Sequence, residues 1–105
     1  MRFLETPVFT RIATELWSDE EYHALQLALF LRPQLGPVIA GSGGLRKVRW
    51  RRRGVGKRGG VRVIYFWHES TETFYMLYAF TKGEQEDLTP EQLRVLRRLV
   101  REEFG

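Results

Sequence analysis

Between Arg46 and Arg62 the chain carries nine basic residues, Arg46, Lys47, Arg49, Arg51, Arg52, Arg53, Lys57, Arg58 and Arg62, and not one acid. Guanidinium and ammonium groups at this density suit one kind of chemistry: they bind phosphates, and when fixed in advance they stabilise the charge that builds on a reacting phosphate. The other eight basic residues are set against all thirteen acidic ones, so a concentrated cationic patch sits on an otherwise acidic chain. Such a patch repels itself in the free protein, and its usual compensation is a polyanion, above all nucleic acid, bound with release of counterions. The bland alternative is a solvated arginine-rich loop, or a surface for an acidic protein. Interleaved glycines and adjoining strands favour nucleic acid, with Arg46, Arg51, Arg52, Arg53, Lys57 and Arg58 as backbone contacts.

Other chemistries find little support. Gly54-Val55-Gly56-Lys57-Arg58-Gly59 matches G-x-G-x-x-G, but a dinucleotide fingerprint follows an apolar parallel strand and opens a helix, whereas arginines precede this segment and a strand follows it. The phosphate-loop pattern fails as well, because neither Ser nor Thr follows Lys57. A flexible glycine loop still lets the backbone approach a phosphate while Lys57 and Arg58 project charge. His23 and His68, the only two histidines, cannot make a metal centre, and both read as surface residues rather than a general acid–base pair. Glu69, Glu72, Glu84, Glu86 and Asp87 read as solvated turn residues. Tyr65, Tyr75 and Tyr78 could each offer a ring to a base, but a core role fits each better.

The elements that must position these residues are marked by local signals. Thr6-Pro7 caps and starts a short helix with Val8, Phe9, Ile12 and Leu16 at helical spacing, after a short N-terminal strand. Ser18-Asp19-Glu20-Glu21 is a capping box that opens a helix from about Asp19 to Leu31, its stripe being Tyr22, Leu25, Leu29 and Phe30. A turn-rich connection with Pro33, Gly36, Pro37, Gly41, Gly43 and Gly44 comes next, and its length suggests a role in shape or function. Leu45 to Trp50 alternates so that Val48 and Trp50 face a core while Lys47 and Arg49 share the opposite face. Val61 to Trp67, with Arg62 at its entrance, is apolar on both faces and predicts a central strand. Phe74 to Phe80 completes a hairpin across the turn at His68 to Thr73. Thr89-Pro90-Glu91-Gln92 opens the last helix, with Leu93, Leu96, Leu99, Val100 and Phe104 as its buried stripe.

This order predicts an α+β domain: a small, twisted, antiparallel-rich sheet with an N-terminal helical pair and a C-terminal helix, the helices on one sheet face and the other face partly open. The 105 residues, 43% hydrophobic and 29% charged, suffice for one core and one domain spanning 1–105. Without cysteine, disulfides and thiolate metal sites are excluded. Glu5 and Pro7 interrupt the start where a signal peptide needs an apolar run, and no stretch approaches about 18 apolar residues, which predicts a cytoplasmic protein with no membrane partner.

Three segments carry a resemblance: Gly41-Ser42-Gly43-Gly44-Leu45-Arg46-Lys47-Val48-Arg49, then Gly56-Lys57-Arg58-Gly59-Gly60-Val61-Arg62-Val63-Ile64-Tyr65-Phe66, and Tyr78-Ala79-Phe80-Thr81-Lys82-Gly83-Glu84 with Asp87-Leu88-Thr89. Together they resemble the HigB-like branch of the RelE/ParE toxin superfamily, and nearly the whole chain is covered. The resemblance implies a RelE-like fold and the toxin of a type II toxin–antitoxin system. It further implies a ribosome-dependent endoribonuclease, or mRNA interferase, that cuts mRNA in the decoding site. The implied partners are the ribosome with its mRNA and a cognate antitoxin carrying a helix-turn-helix DNA-binding domain.

The implied chemistry needs neither metal nor other cofactor: the RNA 2′-hydroxyl attacks the adjacent phosphate in line and the 5′-oxygen leaves. By motif position, Arg62 would bind the scissile phosphate, with Lys47 and Arg49 as base-side and charge-stabilising residues. Lys57 and Arg58 would contact RNA backbone, and Lys82 would be a candidate acid or phosphate ligand. A lysine serves as base only where positive neighbours or burial depress its pKa; otherwise Lys47 is a static phosphate clamp. Some RelE-type nucleases have arginine where this chain has Gly83 and a tyrosine shortly after, so the general acid stays open. ParE-type toxins share the fold but act on DNA gyrase, so gyrase inhibition is one alternative and a non-catalytic nucleic-acid-binding module another.

Overall fold

The computed structural model describes residues 1–52 and 60–105; the glycine-loop reading and the assignments to Arg53, Lys57 and Arg58 lie outside the described residues. Each helix starts where its cap demands. The Thr6 hydroxyl accepts the Phe9 N–H at 3.0 Å and Pro7 opens α1 (Pro7–Leu16). Ser18 and Glu21 exchange side-chain and backbone bonds ahead of α2 (Asp19–Leu31), and Thr89 and Gln92 do so ahead of α3 (Pro90–Phe104). No helix among the described residues is long and apolar enough to cross a membrane.

Among the described residues, four strands form one mixed sheet: β1 (Arg2–Glu5), β2 (Arg46–Trp50), β3 (Val61–His68) and β4 (Thr73–Thr81), in the order β1-β4-β3-β2. β2, β3 and β4 meander antiparallel, as the sequence predicts, while β1 lies parallel to β4 on its far side. Along β3, Val61, Val63, Tyr65 and Trp67 point to one face and Ile64 and Phe66 to the other. On β4, Ile64 pairs with Tyr78 and Tyr65 with Met76, so Leu77 bulges and joins Tyr78 on the second face.

Both faces are covered, which corrects the expectation of helices on one face only. α1 and α2 pack Phe9, Ala13, Leu25 and Leu29 against Val61, Val63, Tyr65 and Phe74, while α3 packs Leu96 and Val100 with Ile64, Leu77 and Phe80 on the opposite side. The reason is the composition of β3 and β4: each carries large apolar side chains on both faces, and burial of each is worth about 1.5–3 kcal/mol. An open face would forfeit that for Ile64, Leu77 and Phe80. Two helical stripes also differ in detail, since Phe30 on α2 and Val8 on α1 are about half exposed.

The connection after α2 is an arm laid along the free edge of β2. Lys47 N–H donates to the Pro37 carbonyl at 3.1 Å, Ile39 N–H to the Leu45 carbonyl at 2.8 Å, and Val38 bridges Arg46. Tyr65 fixes it from below, its hydroxyl donating to the Pro33 carbonyl at 2.7 Å and accepting the Gly36 N–H at 3.0 Å. The arm thereby satisfies an edge that would otherwise invite strand addition. At Gly36 a Cβ would stand 2.9 Å from both the carbonyl carbon and the oxygen of Lys47, backbone atoms that cannot yield unless β2 moves. Gly36→Ala should therefore cost about 1–3 kcal/mol, in the range of overpacked cores, read as a lowered denaturation midpoint; an unchanged midpoint would show that arm and strand part freely.

Candidate active site

The register of three strands gathers the cationic residues. Arg49 on β2 pairs directly with Arg62 on β3, which pairs with Phe80 on β4; Lys47 pairs with Ile64, and Lys82 immediately follows β4. Directly opposed residues place their Cβ atoms about 4.5–5.5 Å apart and diagonal ones about 7–8 Å. Arg62 is thus the centre, with Arg49 beside it and Lys47 on its diagonal, while Lys82 is exposed in the turn just beyond β4. Alternation along β2 sends Val48 into the α1–α2 core and Lys47 and Arg49 to the other face, as the sequence predicts.

Arg62 is only 8% exposed, flanked by Val61 and Val63 at 0%, yet no described residue hydrogen-bonds its guanidinium. Among the described residues no buried side-chain nitrogen or oxygen lacks a partner, so the Arg62 nitrogens reach the surface while the stem stays packed. Like charges directly opposed across strands are unfavourable. An unpaired fork beside Arg49 is therefore an arrangement that gains from an added anion.

The two anions nearby are each fixed by a backbone N–H. Glu84 accepts the Thr81 N–H and hydroxyl, each at 2.9 Å, and closes the turn after β4. Those bonds hold its carboxyl below the usual range, with Arg52 contributing. Asp87 accepts the Leu88 N–H at 2.8 Å and the Lys47 ammonium at 3.2 Å, the one ion pair among the described residues. Its carboxyl is held low chiefly by the Leu88 N–H, then by Lys47, with Arg62 adding to the field.

The remaining candidates are placed less centrally. Arg51, exposed just beyond β2, gives its carbonyl to the Trp17 indole N–H at 3.0 Å; Arg52 is half-buried. Arg46 stands apart on the opposite face, its guanidinium donating to the Gly36 carbonyl at 2.8 Å. His23 is exposed on α2, and His68 ends β3 six residues, about 20 Å, from Arg62, stacked on Phe104 with ring centroids 4.3 Å apart. Tyr65 is buried, and that burial pushes its phenol up. Tyr78, next to the cationic row, bonds through its hydroxyl to Gln85 at 3.4 Å. Among the described residues no three His, Asp or Glu side chains come together as a metal-holding group.

Sequence reasoning missed Asp87 as the partner of Lys47. Only a long-range signal could have found it, because forty positions separate the two. The family model described as the RelE toxin of the RelE / RelB toxin–antitoxin system matches residues 33–104, a stretch that includes β2, β3, β4, α3 and every candidate in the cationic row.

Proposed function

Because the chain belongs to the RelE family of toxins of toxin–antitoxin systems, we propose that it is a ribosome-dependent mRNA endonuclease of the HigB-like branch, acting in the cytoplasm. Family membership already gives it an antitoxin as partner; the helix-turn-helix domain of that antitoxin belongs to the proposal. The observation that supports the reading is the register that sets Arg49 directly across from Arg62 and Lys47 on its diagonal, with an Arg62 guanidinium that has no protein partner among the described residues.

Cleavage then runs without a covalent enzyme intermediate. Arg62 holds the scissile phosphate, and its planar fork can take two non-bridging oxygens at once. The 2′-oxygen gives its proton to solvent water and bonds to phosphorus as the bond to the 5′-oxygen breaks, leaving a cyclic phosphate on one fragment and, once that oxygen takes a proton from Lys82 or water, a 5′-hydroxyl on the other. Arg49 and Lys47 stabilise the charge accumulating on the phosphate, and Lys82 is the candidate acid or phosphate ligand. Fixed cations suit this step, since positioning and electrostatics supply most of the catalysis in phosphoryl transfer.

Purified protein added to a reconstituted translation reaction, with mRNA 5′ ends mapped by primer extension, should give cuts only when ribosomes are present. Intact mRNA alongside protein that still arrests growth would overturn the nuclease reading and direct the next assay to DNA supercoiling by gyrase.

A further inference from the structure

Asp87 is the anomaly of this site. Binding phosphate is favoured by removing every negative charge from the row, yet a carboxylate stands at 3.2 Å from Lys47 and within the field of Arg62. It is not there by drift of a loose loop. Its Oδ1 is pinned by the Leu88 N–H at 2.8 Å, and its carbonyl accepts from Gln85 Nε2 at 2.7 Å. Gln85 in turn bonds Gln92 Oε1 at 2.9 Å, the same oxygen that accepts the Thr89 N–H at 3.0 Å in the capping box of α3. The start of α3 and the end of β4 together set where this carboxylate sits.

The group it holds needs holding. A lysine ammonium rides on a four-carbon stem with several rotatable bonds, whereas an arginine fork is organised by its own planarity. Arg62 has its stem packed in β3, but the Lys47 side chain is 31% exposed and has Asp87 as its one described anchor.

Resting on the cleavage reading above, we propose that Asp87 is a positioning residue: it fixes the Lys47 ammonium on the diagonal of Arg62, gaining rate at the reacting phosphate and giving up affinity for RNA. A residue with a purely structural role would move both quantities in the same direction. Asp87 moves them in opposite directions.

Asp87→Asn tests this, because the amide oxygen still accepts the Leu88 N–H while the charge is lost. Binding of a 2′-O-methylated RNA oligonucleotide, which cannot be cleaved, should tighten roughly two- to threefold, the effect of removing one screened charge several ångströms from a phosphate. Single-turnover cleavage on programmed ribosomes should fall roughly tenfold, the cost of a misplaced group, and Asp87→Glu should restore part of it. An unchanged rate in Asp87→Asn overturns the proposal, as does weaker binding accompanied by a lowered melting temperature. Wild-type protein that fails to cut on ribosomes defeats the nuclease reading itself, and this role with it.

Discussion

Arg62→Ala should lose cleavage by a factor on the order of 10²–10³, the cost of removing one preorganised donor from a developing oxyanion, while remaining folded. Two facts separate the chemical loss from a folding loss. The Arg62 guanidinium makes no hydrogen bond to a described residue, so its deletion orphans no partner there, and it removes a like charge directly opposite Arg49. What is lost to folding is the packed stem between Val61 and Val63, a burial on the order of 1 kcal/mol. A thermal melt should therefore change by a few degrees at most while single-turnover cleavage collapses. Arg62→Lys keeps the charge without the fork and should fall between wild type and alanine. An alanine variant that keeps full activity would remove Arg62 from the reaction.

Binding should also weaken about 50-fold between 50 and 200 mM salt if Lys47, Arg49, Arg62 and Lys82 each neutralise one phosphate of a single strand, since log K then falls against log salt with a slope near −0.7 per contact. Basic residues outside the described segments would steepen the line further. Arg49→Ala should flatten it by about 0.7 of a unit, because that residue is directly across from Arg62 on the same face. Arg46→Ala is the contrasting case: its guanidinium is engaged by the Gly36 carbonyl on the other face, so the slope should stay nearly constant while the arm along β2 loosens. Titration of a fluorescent 2′-O-methylated oligonucleotide over this salt range gives both numbers. A line with no slope would mean that the patch does not bind phosphates, and would favour a protein target.

Local features need only a few adjacent residues. Thr6-Pro7, Ser18 to Glu21 and Thr89 to Gln92 fix three helix starts because each cap is completed within four positions. The period of two in Leu45 to Trp50 was enough to put Lys47 and Arg49 on one face, and the two-faced apolar run from Val61 identified a strand inside the sheet. How these pieces meet depends on contacts far apart in the chain. β1 pairs with β4 across some seventy positions, the Thr6 hydroxyl donating to the Leu77 carbonyl at a separation of 71, and no local pattern encodes that choice. α3 covers the second face because β3 and β4 are apolar on both sides at once, a demand visible only when the strands lie together. Arg46 and Lys47 are neighbours in the chain, yet one closes the Gly36 arm and the other meets Asp87. Side-chain direction follows from local alternation, but a partner follows from register, and register is set by the sum of packing over the whole sheet.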